Sequence, residues 1–389
     1  MNTETAITDW LAAQRPAMLE MLREMVDTDS GSYNKKGIDA VGAIVSRFMA
    51  SHGIKVETVA QQKHGDCLRA LGRSNGAPSN AGNIVLMGHR DTVFPDGEAT
   101  RRPFTIEGSR AYGPGVADMK AGLVMNAFIL AAFEKFGGAP NPIVALFTGD
   151  EEIGSPEGRA VIEAEARRAR AVFNSEPGRV SGNVVSGRKG GVFSAFSIEG
   201  KAAHSGGNFS DGISAIGELA HKIIALHALT DLEAGITVNV GLVAGGQSVN
   251  TVAPLATGQI DLRYVTAPQR EAVMGAIEKI IRTATIPGTR AMLEIRGEFL
   301  PMEHTPTAAK MLALYQDAAG ATGFHPQGEF TGGCADSGFT AAVGAPTLCG
   351  VGPVGGKAHS PEEYLELDSL VPRAQALARA ILRLDAAGI

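Results

Sequence analysis

Six side chains suited to metal binding or acid–base chemistry lie in turns rich in glycine or proline: His89, Asp118, Glu151, Glu152, Glu176 and His359. Short apolar runs at 84–87, 143–147 and 171–173 precede three of these turns, and such runs indicate buried parallel strands. In open α/β sheets, ligands bind at the carboxyl ends of the strands. Two histidines and four carboxylates at that edge predict a hydrolytic centre with two metal ions.

His89 is followed two residues later by Asp91. Side chains alternate in an extended segment, so both point the same way and the carboxylate can hold the second ring nitrogen. A lone histidine here would be read as an ordinary hydrogen-bonded core or loop residue. The strand-end position and the paired Asp91 favour a metal ligand instead.

Some of these six residues also have ordinary interpretations. Asp118 precedes an apolar helix, so it can be an N-cap, although the same position aims its carboxylate at the strand ends. Glu176 stands before Pro177 and can be a salt-bridged loop acid. His359 lies in a glycine-containing turn that suits close backbone approach. Convergence of all six groups at one sheet edge favours the metal interpretation over each separate alternative.

Glu151 and Glu152 are adjacent, and two ionised carboxylates so close repel each other unless cations or solvent separate them. At the mouth of a sheet, alternation lets Glu152 face a metal ion while Glu151 faces the substrate. There Glu151 can take a proton from a water molecule that the metal activates.

Composition limits the class of protein. A chain of 389 residues is expected to form about two domains. Hydrophobic residues at 44% and charged residues at 20% are typical of a globular protein. The formal net charge of -6, with no visible basic face, argues against nucleic acid as a partner. The three scattered cysteines are expected to be free thiols in a reducing cytosol.

The N-terminal segment lacks a basic stretch followed by an apolar core, so it predicts an amphipathic helix rather than a signal peptide. No apolar stretch of the sequence reaches the ~18 to 20 residues that would span a bilayer. We therefore expect a cytoplasmic protein with a small-molecule substrate and no membrane partner.

The order of predicted elements indicates two domains. Helices and strands alternate up to about residue 178, which is the α/β pattern of a mixed, largely parallel sheet. From about 187, the order strand, helix, strand, strand, helix, strand predicts a ferredoxin-like α+β unit. The α/β pattern resumes after Gly297. We therefore expect a discontinuous metal-binding domain, 1–186 and 297–389, and an inserted domain, 187–296.

Five motifs of the sequence together resemble those of a known family. The runs at 88–92, 112–122, 148–152, 174–177 and 358–361 resemble the co-catalytic di-zinc metallopeptidases, which include aminoacylase, succinyl-diaminopimelate desuccinylase and the folate-hydrolysing glutamate carboxypeptidase. The resemblance covers nearly the whole chain. It is strongest to the glutamate carboxypeptidase (carboxypeptidase G type) branch, through Tyr112-Gly-Pro-Gly and Thr331-Gly-Gly-Cys-Ala-Asp336. It implies a zinc-peptidase-like catalytic domain and a dimerisation or lid function for the inserted domain.

The resemblance also implies a ligand set for two Zn²⁺ ions per subunit. Asp118 would bridge the two ions, His89 and Glu176 would complete one site, and Glu152 and His359 would complete the other. Imidazole and carboxylate ligands also admit Co²⁺ or Mn²⁺.

The same resemblance assigns catalytic roles. Glu151 would be the general base, and Asp91 would orient the metal-binding histidine that precedes it. The peptide bond between Asp118 and Met119 would be cis.

In the inserted domain, the resemblance implies that His204 crosses a homodimer interface and stabilises the oxyanion in the partner's active site. A loop histidine without a role is the alternative. Asn250 and Arg296 are similar to positions that hold a substrate's terminal carboxylate, a task that suits the arginine fork. Arg263 would assist them, although an arginine in a strand is more often solvated or salt-bridged.

The sequence departs from the glutamate carboxypeptidase pattern in two places. Glu298 and Phe299 stand where a second basic residue and a proline are common, and an acid there would disfavour an acidic substrate side chain. Cys334 replaces a usual glycine near Asp336, which would reshape the pocket wall.

The resulting hypothesis is a zinc-dependent, homodimeric metallocarboxypeptidase or amidohydrolase. It would remove a C-terminal amino acid, with glutamate as the expected one, from an N-acyl or peptide-like substrate. Two alternatives stay open: an aminoacylase or deacylase with the same metal centre, and a non-catalytic binding protein that has kept the fold.

Overall fold

The computed structural model describes residues 2–76 and 82–389. The chain divides into two compact units. The first unit covers Met1–Gly187, His304–Thr331 and Ala335–Ile389, and the second covers Arg188–Glu303 and Gly332–Cys334.

The helices of the described residues are α1 (Thr3–Ala13), α2 (Arg15–Val26), α3 (Lys35–Ser51), α4 (Glu98–Arg101), α5 (Ala121–Lys135), α6 (Gly158–Ala166), α7 (Ala215–His227), α8 (Ala267–Arg282), α9 (Pro306–Gly320), α10 (Ser337–Ala342) and α11 (Leu370–Leu382). The sequence pattern predicts one continuous N-terminal helix, and that prediction is wrong. The chain breaks between α1 and α2 because Pro16 lies in the first turn of α2, where its missing N–H and fixed φ are tolerated.

The strands are β1 (Lys55–Val59), β2 (Cys67–Leu71), β3 (Asn83–His89), β4 (Thr105–Glu107), β5 (Arg110–Tyr112), β6 (Ile143–Thr148), β7 (Ala169–Asn174), β8 (Val184–Arg188), β9 (Gly190–Glu199), β10 (Thr237–Gly245), β11 (Leu255–Tyr264), β12 (Arg290–Phe299), β13 (Gly328–Thr331), β14 (Thr347–Cys349), β15 (Gly355–Gly356) and β16 (Tyr364–Glu366). They form one eight-stranded and two four-stranded sheets.

The eight-stranded sheet has the order β1-β2-β6-β3-β7-β14-β8-β13. The pairs β6–β3, β3–β7 and β7–β14 are parallel, whereas β1–β2, β2–β6 and β14–β8 are antiparallel. This mixed sheet with a parallel centre confirms the predicted fold class. Because β6, β3 and β7 are parallel neighbours, the residues that follow them emerge at one edge.

Helix α5 is the central helix of the first unit. Each residue from Ala121 to Phe133 is buried, which is typical of a helix that is apolar on all sides and lies in a core. The stretch Val116–Lys135 is long and apolar enough to cross a membrane by length and composition, although the sequence pattern predicted no such stretch. In the structure 94% of its tested window is buried within the protein, as in a core helix.

A small antiparallel sheet, in the order β15-β16-β5-β4, was not predicted from the sequence. Tyr112 at the end of β5 lies opposite Tyr364 at the start of β16. The turn that contains Asp118 follows β5, and the turn that contains His359 lies between β15 and β16. This sheet therefore brings together two turns that are far apart in the sequence.

The second unit is a four-stranded sheet in the order β10-β11-β9-β12, with all paired neighbours antiparallel. Helices α7 and α8 pack on it and share its apolar core. Its element order is βαββαβ, as in a ferredoxin-like sandwich. The predicted boundary at 297 falls inside β12, because that strand continues its pairing with β9 as far as Phe299 opposite Gly191.

Arg90 is a buried cation that ties three segments of the first unit together. Its side chain is 1% exposed and points away from the neighbouring His89. The guanidinium donates to the backbone oxygens of Thr148 at 3.2 Å and Ile38 at 3.1 Å, and also to that of Asp66. It therefore connects the end of β6, helix α3 and the segment before β2 through hydrogen bonds.

We expect Arg90→Met to lower the free energy of unfolding by about 3 kcal/mol, because buried carbonyls that lose their donors cost about 1–3 kcal/mol each. Urea denaturation measures this change. Arg101→Met is the control, since Arg101 is largely exposed and its partner Glu98 keeps a second cation, Arg102. A loss no greater than that of the control would contradict the structural role of Arg90.

Candidate metal centre

His89 is the last residue of β3, and its ring is 1% exposed. Its Nε2 lies 3.2 Å from Oδ1 of Asp118 and 3.8 Å from Oε1 of Glu176. Glu176 follows β7, the parallel neighbour of β3, so the parallel pairing brings the imidazole and this carboxylate together.

His359 approaches the same aspartate from the other side. Its Nε2 lies 3.3 Å from Oδ2 of Asp118 and 3.1 Å from Oε2 of Glu152. The backbone of His359 has a φ of 63°, in the left-handed region that few non-glycine residues adopt. The turn between β15 and β16 therefore directs the ring toward the acids.

Asp118 thus presents one carboxylate oxygen to each imidazole. It is not the N-cap of α5, since Lys120 holds that position and Asp118 has an extended backbone with φ -108° and ψ 91°. The Asp118–Met119 peptide is cis, as the resemblance implies. Two donor groups result, one with His89 and Glu176 and the other with His359 and Glu152.

These donors fit divalent metal ions. Donor atoms of His89, Asp118 and Glu152 all lie within 4.8 Å of one another, which is close enough for a shared ion. Imidazole and carboxylate are the ligands that zinc uses in catalytic sites, and they also admit cobalt and manganese. Crowded carboxylates repel each other, and a cation among them removes that repulsion.

Asp91 connects His89 to the turn that holds the two adjacent glutamates. Nδ1 of His89 lies 3.0 Å from the backbone oxygen of Asp91 and 3.4 Å from its Oδ1. The nearer acceptor is thus the backbone carbonyl, rather than the carboxylate expected from the sequence. The Asp91 carboxylate accepts bonds from the amide nitrogens of Glu151 and Glu152, both at 3.1 Å, and from Oγ of Ser32 at 2.7 Å.

Glu151 lies beside the donors with a buried carboxylate. Its Oε2 is 3.9 Å from Nε2 of His89. Burial raises the pKa of Glu151 well above its usual range, and the charges of Glu176, Asp336 and Glu152 raise it further, whereas His89 opposes the change. A carboxylate with a raised pKa suits proton transfer near neutral pH.

Asp336 is a buried acid that sequence reasoning did not place at the centre. Its Oδ1 accepts a hydrogen bond from Oγ of Ser155 at 2.5 Å, and Ser155 has a φ of 51°. Burial is the main cause that raises the pKa of Asp336 to about 8. This bond anchors the turn directly after Glu151 and Glu152. In the sequence analysis, Asp336 is included only in the motif 331–336, without a role of its own.

Two other predicted site residues lie together in the second unit. His204 is exposed, and its segment forms an antiparallel bridge with Thr251. The amide nitrogen of Ser205 donates to the backbone oxygen of Asn250 at 2.9 Å. The structure therefore brings His204 and Asn250 to the same region of this unit.

The two arginines predicted to bind substrate differ in their surroundings. Arg296 lies at the register shift between Ile295 and Gly297, its side chain is 52% exposed, and its Nε lies 3.7 Å from Oε2 of the exposed Glu294. A bulge of this kind redirects a side chain. Arg263 donates from Nε and Nη2 to Asp261, and from Nη1 to Sγ of Cys334 at 2.8 Å. Its fork is therefore already engaged, as the salt-bridge alternative expects.

Glu298 is a residue at which the sequence departs from the glutamate carboxypeptidase pattern. Its carboxylate is paired with an arginine of the same unit. Its carboxylate accepts a hydrogen bond from Nε of Arg270. The negative charge of Glu298 is thus balanced within the second unit.

We expect metal binding to release protons. Hydrogen bonds to the carboxylates of Asp118 and Glu152 raise the pKa of His359 to about 10, so its ring is protonated at neutral pH in the metal-free protein. Burial lowers the pKa of His89, but the surrounding acids outweigh burial and raise it well above the usual value. A metal ion must displace these protons, since it binds the neutral ring.

At pH 7 we therefore expect at least one proton to be released per chain, and metal affinity to fall about tenfold per pH unit of acidification for each released proton. The affinity should rise with pH until His359 loses its proton unaided. Calorimetric titration in buffers of different ionisation enthalpy measures the number released. Metal binding without net proton release at pH 7 would contradict the prediction.

Comparison with known proteins agrees with this geometry. Residues 85–383 match the sequence profile of Peptidase family M20/M25/M40. Carboxypeptidase G2 of Pseudomonas sp. (strain RS-16) is 28% identical over 385 residues, which cover 96% of this chain and 90% of that protein. Acetylornithine deacetylase of Klebsiella pneumoniae (strain 342) is 27% identical over 391 residues, which cover 94% and 97%.

Solved structures share the fold. An M20 family metallo-carboxypeptidase from Sulfolobus solfataricus superposes with a TM-score of 0.77 at 19% identity, over 94% of this chain and 98% of that chain. Aminopeptidase PepT from Bacillus cereus gives a TM-score of 0.75 at 21% identity, over 95% and 99%. With the profile match spanning most of the sequence, this chain belongs to Peptidase family M20/M25/M40 and is a metallohydrolase acting on peptide or amide bonds.

Proposed function

We propose that this chain is a homodimeric, zinc-dependent metallocarboxypeptidase. It removes a C-terminal amino acid, with glutamate as the expected one, from N-acyl or peptide-like substrates. The observation that carries the proposal is the position of Asp118, with one oxygen toward His89 and the other toward His359, and with Glu151 beside them.

In this proposal Asp118 would serve both Zn²⁺ ions, His89 and Glu176 would hold one of them, and Glu152 and His359 would hold the other. Co²⁺ or Mn²⁺ can substitute. The metal ions supply Lewis acidity for a water molecule and for the scissile carbonyl.

Glu151 accepts the proton of that water molecule and later donates it to the leaving nitrogen. Asp91 holds the backbone of Glu151 in place through its carboxylate.

Recognition of the released amino acid is assigned to Asn250 and Arg296. The exposed guanidinium of Arg296 can hold a carboxylate with two parallel hydrogen bonds. Similarity to carboxypeptidase G2 supports a C-terminal amino acid as the leaving group. Arg270 pairs with Glu298, so this acid does not count strongly against glutamate. Arg263 contributes only indirectly to substrate binding, because its Nε, Nη1 and Nη2 already donate to Asp261 and Cys334.

A cleft of about 460 Å³ in the first unit leaves room for the acyl portion of the substrate. The metal-binding residue Glu152 forms part of its wall, together with the apolar groups of Tyr33, Val93, Phe94 and Ile153. The cleft therefore adjoins the proposed metal centre at Glu152.

Dimerisation is assigned to the second unit. Strand β10 lies at the edge of its sheet, and Leu242 and Val243 on this strand are 62% and 56% exposed. An exposed apolar edge strand is a template for pairing with another chain, and a second copy fits it. In the dimer, His204 of the partner subunit stabilises the oxyanion.

A deacylase that removes an acyl group from an amino acid is the second candidate. The similarity to acetylornithine deacetylase over nearly the full length of both chains favours it. The two candidates break the same kind of bond and differ in which product the pocket recognises. A binding protein without activity would not need these six side chains connected by contacts of 3.9 Å or less through His89, Asp118 and His359.

The compartment that we propose is the cytoplasm. Cys67 and Cys334 are free thiols in the part of the chain that the structure describes, which suits a reducing environment.

Hydrolysis of a panel of N-acyl amino acids, dipeptides and aroyl-glutamate conjugates by the zinc- or cobalt-loaded protein, read by mass spectrometry, tests the proposal. We expect C-terminal glutamate to be released from aroyl or peptidyl conjugates with a higher kcat/KM than acetate from N-acetylornithine. The reverse preference would establish the deacylase. If no amide were hydrolysed after metal loading, the non-catalytic binding protein would be the remaining alternative.

A further inference from the structure

We propose that Glu363 is a positioning residue of the metal centre, which holds Asp118 in the orientation that serves both metal ions. This inference rests on the proposed metal-dependent function. Glu363 belongs to no motif of the sequence analysis, and its neighbour Glu362 is chemically identical in the sequence.

The carboxylate of Glu363 is bound to the backbone that carries Asp118. Its Oε1 accepts hydrogen bonds from the amide nitrogens of Ala117 and Asp118, both at 2.9 Å. Its Oε2 accepts one from the amide nitrogen of Gly115 at 3.1 Å. The residue is 0% exposed, so water cannot replace these bonds. Three donors thus converge on one buried carboxyl group.

The charge and shape of a carboxylate match this arrangement. An ionised carboxylate is an acceptor at both oxygens, whereas an amide has one acceptor and one donor group. A glutamine at this position would place its NH₂ against at least one backbone N–H. Lys120 is also buried and interacts electrostatically with Glu363, and its Nζ donates to the backbone oxygen of Thr28 at 3.1 Å.

Glu363 also belongs to the turn of the second imidazole ligand. The amide nitrogen of Glu363 donates to the backbone oxygen of Ser360 at 3.2 Å, directly after His359. The next residue, Tyr364, pairs with Tyr112 in the small sheet. Glu363 therefore connects the His359 turn with the Asp118 turn, and it fixes the distance between these two ligands.

This connection matters most before the metal ions bind. In the metal-free protein no ion orders the Asp118 turn, and the three hydrogen bonds to Glu363 hold its backbone. An anchor within the chain keeps the ligands in place, and such outer contacts typically change metal affinity or activity by about 10–100-fold.

The experiment compares wild type with Glu363→Gln, Glu363→Asp and the control Glu362→Gln. Glu362 is 68% exposed and pairs with Lys357 at the surface. Zn²⁺ affinity is measured by calorimetric titration with a competing chelator, and the Co²⁺-loaded proteins are compared by their visible absorption spectra. Thermal unfolding of the metal-free proteins is recorded in parallel.

For Glu363→Gln we expect Zn²⁺ affinity to fall about 10–100-fold, with a changed Co²⁺ spectrum. With saturating metal, kcat should fall and KM should stay within about twofold, because the substrate pocket is untouched. Glu363→Asp keeps the charge and should recover part of the affinity. Glu362→Gln should match wild type in each measurement.

A folded Glu363→Gln protein with wild-type affinity and spectrum would overturn the inference, as would a loss of thermal stability alone. If Glu363→Gln does not fold, Glu363→Asp decides by the same measurements. Failure of wild type to bind Zn²⁺ would instead overturn the proposed function, so the two failures are distinguishable.

Discussion

Replacing Glu151 by alanine is expected to lower kcat for amide hydrolysis by about 10²–10⁴-fold, the usual contribution of a positioned general base. Bound metal should be unchanged, because the metal-binding atoms belong to other side chains. The buried carboxylate of Glu151 lies 3.9 Å from the His89 imidazole, and its pKa is raised mainly by burial. Steady-state kinetics and metal analysis of the purified variant measure both quantities.

Two variants complete this test. Glu151→Gln has nearly the same shape but no basic oxygen, so it should be as inactive as the alanine variant. Glu107→Ala removes an exposed acid from β4 and should keep full activity. If Glu151→Gln retained wild-type kcat, another group would have to accept the proton.

Replacing His204 by alanine is expected to lower kcat by about 10²–10³-fold, the usual cost of removing one oxyanion donor. Metal content should be preserved because His204 is not one of the proposed metal ligands, and the proposed dimer should be preserved because it forms through the edge strand β10. His221→Ala, which changes an exposed histidine on α7 of the same unit, is the matched control. Kinetics together with light scattering measure activity and oligomeric state.

Mixing the two inactive variants shows whether His204 acts across the dimer. In a mixed dimer, the His204→Ala chain keeps its own Glu151 and receives His204 of the partner subunit, so one of its two sites is complete. Random exchange between equal amounts should restore about one quarter of the wild-type sites, because half of the dimers are mixed. No recovery after subunit exchange would place His204 and Glu151 in the same chain's site.

The metal centre could be predicted from the sequence because its ligands follow buried strands. Parallel strands end at one edge of a sheet, so apolar runs before His89, Glu151 and Glu176 were sufficient to predict that these side chains meet. The mixed α/β sheet followed from the same runs. Short strands such as β2, β4 and β16 were missed, because they are too brief to show a period.

Other features depend on contacts between residues that are distant in the chain. The small sheet between the Asp118 and His359 turns, the backbone acceptor for His89 and the three amides around Glu363 leave no local pattern, since a hydrogen-bond partner far along the sequence has no fixed spacing. For the same reason Glu362 and Glu363 cannot be told apart until one of them is buried. Local periodicity predicted which strands carry the ligands, and long-range packing set how those ligands are oriented.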